Sequence, residues 1–400
     1  MRRPGVALLL LLLLLGGGRA GAQDYEGYAS ALFAVMPDLD PADGRQAAGE
    51  LRTRLFAEGL FNPGDRLHVR VGAFVDALLA DRGALGDGGA AAAAVLHPGD
   101  VFVEYRGERA DVRAGMARIV WGRLDEFLPT DVVNPIDLSR FLLEGRSEAR
   151  LPVALVRGRL FLPLGSTLEA IAVPVFRGSR FDLLDEESSP FLLAPPGPRD
   201  RREPGVAWRN VQGGARLTST VGRVDVGVSA WRGFESFPAY VPQPAGFVET
   251  FPRFTMVGAD FETVRGPWGV RGEAAWFDGA SPRSFEGGLG ADRRAGDYRV
   301  ALNALLSRGD GTDLTLVGWA DRAFARETRT LRVLAVYDPA DETAFVRSVA
   351  AISLRDNLWL EASAGWFAAG EAGATAQGTT GVLDLLARRD FVYVRMKRFF

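Results

Sequence analysis

Cysteine is absent from the 400 residues, so no disulfide framework, thiolate nucleophile or cysteine-ligated metal is available. Lysine is almost absent: Lys397 is the only one, and arginine carries the rest of the positive charge. Histidine occurs twice, at His68 and His97. No G-x-S-x-G, H-E-x-x-H or glycine-rich phosphate loop accompanies them, so the common signatures of hydrolysis and nucleotide chemistry are missing. No catalytic, cofactor-binding or metal-ligating residue is assigned. Neither sign of charge dominates; the formal net charge is -3, which argues against nucleic acid as a partner. Beyond the first residues there is no apolar run of about 18 residues or more, so no spanning helix is expected. There is also no Pro- or Ser-rich linker, no repeat of fixed spacing and no shift in composition, which favours one domain.

What is present starts with residues 1–22, which read as a secretory signal peptide. Arg2 and Arg3 form a positive start, Val6 to Leu15 a short apolar stretch, and Ala20-Gly21-Ala22 a small-residue cleavage pattern. Residues 23–400 are then expected as the mature domain, with no cysteine to carry a lipid anchor. For an exported chain without a spanning helix, the choice lies between a soluble protein and a transmembrane β-barrel.

Period-2 alternation decides for the barrel. Val224, Val226, Val228 and Ala230 share one face of their run, with Arg223, Asp225 and Ser229 on the other. The same pattern recurs in 268–277, 298–306 and 358–366. The runs are about 10–13 residues, longer than the usual 5–6 of soluble strands and close to what a tilted strand needs to cross a bilayer. Aromatics cluster at run ends (Trp231, Phe254, Trp268, Trp276, Phe277, Tyr298, Tyr337, Trp359, Trp366, Phe391 and Tyr393), as interfacial girdles would require. Short turns such as 107–109, 163–165, 220–222 and 265–267 alternate with long pieces at 80–98, 122–150, 177–204 and 233–251. The reading is an all-β, antiparallel up-and-down transmembrane barrel of about 18 strands, with 16 as the alternative, and with a loop folded into its lumen. The first and last hairpins carry the weakest pattern. The last strand ends on Phe400, with Arg395 and Lys397 toward the lumen and Met396, Val394 and Val392 toward lipid. A terminal Phe of this kind resembles the signal read by the outer-membrane barrel-insertion machinery, which makes that machinery and outer-membrane lipid the expected partners.

The stretch 122–150 is the candidate lumen loop. It is too long and too apolar for an idle connection. Asn134 is placed as a helix cap with Pro135 at the first helical position, and Gly145 as the stop. The candidate constriction and lumen residues are Asp125, Glu126, Asp131, Asp137, Arg140, Arg146 and Arg150 from the loop. From the wall they are Arg271, Glu273, Arg299, Glu361 and Arg395. Opposed charges at a constriction would impose a transverse field and a size limit; alternatively they are salt bridges that hold the loop to the wall.

Trp121-Gly122, Asn134-Pro135-Ile136-Asp137-Leu138 and Leu151-Pro152 resemble a motif of a Gram-negative outer-membrane barrel family of unknown function. More distantly the chain is similar to alginate-export-type porins. The resemblance implies the barrel fold and the outer-membrane location, and no particular solute.

Three functions remain. The first is a porin-like channel for small solutes or a secreted product through a mixed-charge lumen. The second is a closed structural or docking barrel. The third is an outer-membrane hydrolase, for which His68 and His97 are the only bases of the usual kind. An acidic cluster, Asp182, Asp185, Glu186 and Glu187, reads as a solvated turn more readily than as a calcium loop.

Overall fold

A computed structural model describes residues 24–37, 49–81, 90–187, 189–279, 283–309, 311–368, 382–387 and 389–400. The expected signal peptide lies outside the described residues. Among the described residues alternating side chains produce twenty-one strands. In chain order they are β1 (Asp24–Val35), β2 (Gly49–Phe61), β3 (Leu67–Asp81), β4 (Ala90–Arg106), β5 (Ala110–Ala117), β6 (Val153–Phe161) and β7 (Thr167–Val173). Then come β8 (Arg199–Arg201), β9 (Gln212–Val221), β10 (Val224–Phe234), β11 (Ala239–Gln243), β12 (Gly246–Thr250), β13 (Arg253–Arg265) and β14 (Trp268–Gly279). The last are β15 (Phe285–Ala295), β16 (Tyr298–Arg308), β17 (Thr312–Phe324), β18 (Arg329–Asp338), β19 (Thr343–Arg355), β20 (Leu358–Ala368) and β21 (Phe391–Phe399).

Eighteen of them form one antiparallel sheet in which each strand pairs with its sequence neighbours. The sheet closes because β1 pairs with β2 on one side and with β21 on the other, from Tyr28 opposite Phe399 to Val35 opposite Val392. Closure satisfies every edge, the one arrangement in which strands can stand in hydrocarbon. The weakly patterned terminal hairpins therefore hold the seam. β8, β11 and β12 form a separate three-stranded sheet among the long connections.

The exterior is apolar along the strand middles. Val228 and Leu302 keep 54% and 60% of their surface exposed, and Val257 and Leu289 are exposed likewise. Of the expected girdle, Trp268 and Tyr298 are exposed at the short-turn end, and Trp276, Tyr337 and Trp366 at the opposite end. The rest of that set needs correction. Trp231, Phe254, Phe277, Phe391 and Tyr393 are buried on the inner face, where they pack against loops folded inside, and Trp359 is half-buried opposite Lys397 of β21. Period 2 gives two faces but does not say which is wet, and a filled lumen accepts aromatics as readily as lipid does.

Three boundaries also differ from the sequence expectation. β3 runs to Asp81 and β4 begins at Ala90, so the whole of the described part of the expected loop 80–98 is strand, and His97 is buried. β5 stops at Ala117, short of Trp121, because the chain turns inward there. β9 starts at Gln212, and the connection between β10 and β13 carries the β11–β12 hairpin.

Candidate functional site

The inward turn between β5 and β6 builds the site. Asn134 clasps its neck: the side-chain carbonyl accepts from the Ile119 amide at 2.7 Å, and the amide nitrogen donates to the carbonyls of Leu151 (2.8 Å) and Ala117 (3.3 Å). The amide of Leu151 donates to the Pro135 carbonyl at 2.8 Å. Asn134 is thus no helix cap, which corrects the sequence assignment. The helix runs Leu138–Glu144, and its cap is Asp137, which accepts from the Arg140 amide at 3.1 Å. Gly145, at φ 99°, does end it. A second short helix, Arg146–Ala149, follows.

From the neck the loop crosses the lumen along the wall. The Trp121 indole donates to Glu169 at 2.7 Å and meets Trp231 edge-on. Gly122 sits where a Cβ would lie 2.5 Å from both carboxylate oxygens of Glu273. That carboxylate is buried without a cationic partner among the described residues. It accepts instead from the amides of Arg123 (2.8 Å), Leu124 (3.2 Å) and Thr130 (2.6 Å), and from the Thr130 hydroxyl (2.7 Å). Arg123 reaches Asp260 at 2.7 Å and Glu262 at 2.9 Å.

Most of the other expected charges pair as well. Asp125 accepts from Arg271 at 2.8 Å and from the Trp319 indole at 3.2 Å. Glu126 meets Arg332 at 3.0 Å. Asp131 takes both Arg146 and Arg150, at 3.0 and 2.5 Å. Arg271 and Arg299 share Asp292. Arg140 reaches Asp76 on β3 at 2.7 Å. Arg395 bridges Glu144 of the helix and Glu361 of the wall. Glu148 meets Arg54 at 3.3 Å and Lys397 at 3.8 Å. The loop is therefore tied to β2, β3 and β21 on one side and to β13, β14 and β18 on the other.

A second layer covers it. The connection after β7 brings Phe181 and Phe191 onto Leu138, Leu142 and Leu143 of the helix, in a cluster that continues into Phe345, Phe367 and Phe391 of the wall. Asp182 is bonded by Arg52, Glu186 by Arg180 and Glu187 by Arg199, so the acidic turn is engaged with arginines. Burial, reinforced by Asp182, raises the Asp137 carboxyl well above its ordinary range. Burial opposes ionisation of Glu144 too, but Arg54 and Arg395 outweigh it and hold that carboxyl below the usual range.

Two polar cavities remain beside the segment 120–126. One, of about 510 Å³, lies between the loop and the wall of β18, β19, β20 and β21. Asp125, Glu126, Arg146, Arg150, Glu361 and Arg395 all face it, so half of the expected residues converge on one space. The other, of about 440 Å³, lies against β6, β7, β9 and β13. Asp131, Asp137, Arg140, Arg271, Glu273 and Arg299 are not on the larger cavity; all but Arg299, which bonds Asp292 and stacks over Trp319, serve to hold the loop. Sequence reading missed Arg347, Arg332, Asn134 as clasp, and Thr130. Arg347 was findable as the one charge in the inward row Phe345, Val349, Ala351 of β19.

The histidines sit elsewhere. His97 Nε2 lies 2.5 Å from Asp76 while its Nδ1 has no hydrogen-bond partner among the described residues, and His68 Nδ1 lies 2.5 Å from the Asn62 side-chain oxygen. Among the described residues neither is hydrogen-bonded to a hydroxyl.

No curated protein matches the chain significantly. Among solved structures, a mutant Rh. blastica porin is similar at TM-score 0.42 and 13% identity, over 94% of this chain and 99% of that one. The trimer form of in-vitro folded OmpT, an outer membrane protein of Vibrio cholerae, is similar at TM-score 0.42 and 10% identity, over 94% and 98%. A family model matches residues 99–375, which include the whole inward loop and its wall from β5 to β20. On that match the chain belongs to the family described as Protein of unknown function (DUF1302).

Proposed function

We propose that this chain is an outer-membrane channel, exported by the signal peptide at residues 1–22, whose lumen is narrowed to a mixed-charge passage by the loop between β5 and β6. The observation that carries the reading is the polar cavity of about 510 Å³ left between that loop and the β18–β21 wall inside a closed barrel. A purely structural plug gains by packing against its wall all round; here guanidinium and carboxylate groups face each other across an unfilled space. The apolar strand exterior with aromatic residues at both ends supports placement in a bilayer. The short turns and both strand ends, Asp24 and Phe399, then face the periplasm, and the layered loops face out.

The test is single-channel recording of the refolded protein in a planar bilayer under a salt gradient. Steady conductance with a reversal potential displaced from zero supports a charged passage. Silence from a folded barrel, turning to conductance when residues 122–150 are deleted, supports instead the closed-barrel reading, which the packed second layer over the helix favours.

A further inference from the structure

Arg347 is the one guanidinium facing the larger cavity that has no carboxylate partner among the described residues. Arg146 and Arg150 share Asp131, Arg332 has Glu126, and Arg395 has Glu144 and Glu361. Arg347 is only 8% exposed, yet its bonds go to neutral groups: Nε to the Ser363 hydroxyl at 3.4 Å and one terminal nitrogen to the Tyr393 hydroxyl at 3.1 Å. Among the described residues Arg347 makes no ion pair with Glu361; the Tyr393 hydroxyl stands between them, accepting from Arg347 and donating to Glu361 at 2.6 Å, and Glu361 is itself paired with Arg395 at 2.9 Å. The other terminal nitrogen, Nη1, makes no hydrogen bond among the described residues. It points toward Gly145 of the loop, where a Cβ would lie 3.9 Å from it. A buried cation surrounded by neutral partners is costly unless an anion completes it.

The cavity as a whole is lined by charged groups of both signs, but the stretch of wall next to Arg347 in the strand register is apolar. Val349 and Ala351 follow Arg347 on the inward face of β19, and Leu334 stands directly opposite Arg347 on β18. A small inorganic anion has no use for this strip, and a hydrocarbon has no use for the guanidinium. We propose that the cavity binds an amphipathic carboxylate, its head on Arg347 and its apolar tail along Leu334, Val349 and Ala351. The inference rests on the channel reading in one respect only, that the ligand is the cargo.

The experiment measures octanoate binding to the mature protein in lipid nanodiscs by equilibrium dialysis, with acetate and octanol as comparison ligands. Saturable octanoate binding, at least about tenfold tighter than that of either comparison ligand, is expected, since loss of a charge-assisted bond is worth about that factor or more. Arg347→Gln should reduce octanoate to the level of octanol, and Arg347→Lys should restore part of it. If the glutamine variant folds poorly, Leu334→Glu serves as the second: it supplies the missing carboxylate across the strand pair, and should abolish octanoate binding in a barrel that keeps its heat resistance. Equal binding of acetate and octanoate, or octanoate binding indifferent to both variants, overturns the proposal. Conductance in potassium chloride is read separately. A conducting barrel without octanoate binding defeats this inference and leaves the channel standing, whereas saturable binding in a silent barrel does the reverse.

Discussion

Glu273 offers the sharpest perturbation of the loop. Its carboxylate is the sole acceptor among the described residues joining the amides of Arg123, Leu124 and Thr130 to β14, and Leu124 and Thr130 are themselves buried. In Glu273→Ala those buried donors lose their acceptor, at about 1–3 kcal/mol each. Removing a buried charge returns part of that, so a net loss of about 2–4 kcal/mol in local stability is expected. At about 1.4 kcal/mol per tenfold, protection of these amides should fall by roughly 30- to 1000-fold. Hydrogen exchange followed by mass spectrometry on peptides covering 118–130 measures this directly. Strand pairing is untouched, so the heat-modifiable mobility of the barrel should not change. Glu273→Gln should fall between the two, because one amide replaces the oxygen that serves Arg123 and Leu124 or the one that serves Thr130. Unchanged exchange in Glu273→Ala would refute the claim that the loop hangs from this carboxylate.

Other residues make further predictions. Gly122→Ala should mimic Glu273→Ala in exchange and raise current noise in single-channel records, because the new methyl meets the Glu273 oxygens at a backbone angle of φ 91°. Asn134→Ala should loosen both ends of the loop by about 2–3 kcal/mol, leaving the Ile119 amide without its acceptor, and exchange at 117–120 and 150–152 should rise together. Val228→Arg, in the middle of the lipid-facing side of β10, should destabilise the barrel by about 2–4 kcal/mol in urea titrations in lipid, whereas a soluble sandwich would tolerate it. The Glu144 carboxyl is held below its ordinary value, so its contribution is present above about pH 4.3 and is lost only as pH falls through the lower folded value. The difference in helix 138–144 protection between wild type and Glu144→Gln should therefore stay constant from neutrality down to about pH 4.3 and vanish below it. A difference that disappears on the alkaline side of that point would show that Arg54 and Arg395 do not hold the carboxylate.

The sequence by itself determined the barrel. A period of two recurring over most runs, strand lengths beyond those of soluble sheets and alternating turn lengths are local properties, readable without knowing any partner. Counting such runs gives about eighteen strands with sixteen left open, which closure of the sheet settles at eighteen, and the inward side of β21 follows from Arg395 and Lys397. The charged loop could also be recognised, since apolar residues such as Leu142 and Leu143 in a connection have to pack somewhere. Only the tertiary structure decided what each charge does, because partners such as Glu273 and Thr130, or Arg395 and Glu144, are far apart in the chain and their approach depends on how the loop lies in the lumen. Asn134 shows the limit clearly. Asn-Pro is a sound local signal for a helix start, but a buried neck with three unmet backbone groups outcompetes it, and Asp137 takes the cap. The aromatic residues show the same thing: alternation places Trp231 and Phe391 opposite the neighbouring aliphatic face, and only the filled interior makes that inner face as dry as the outer one.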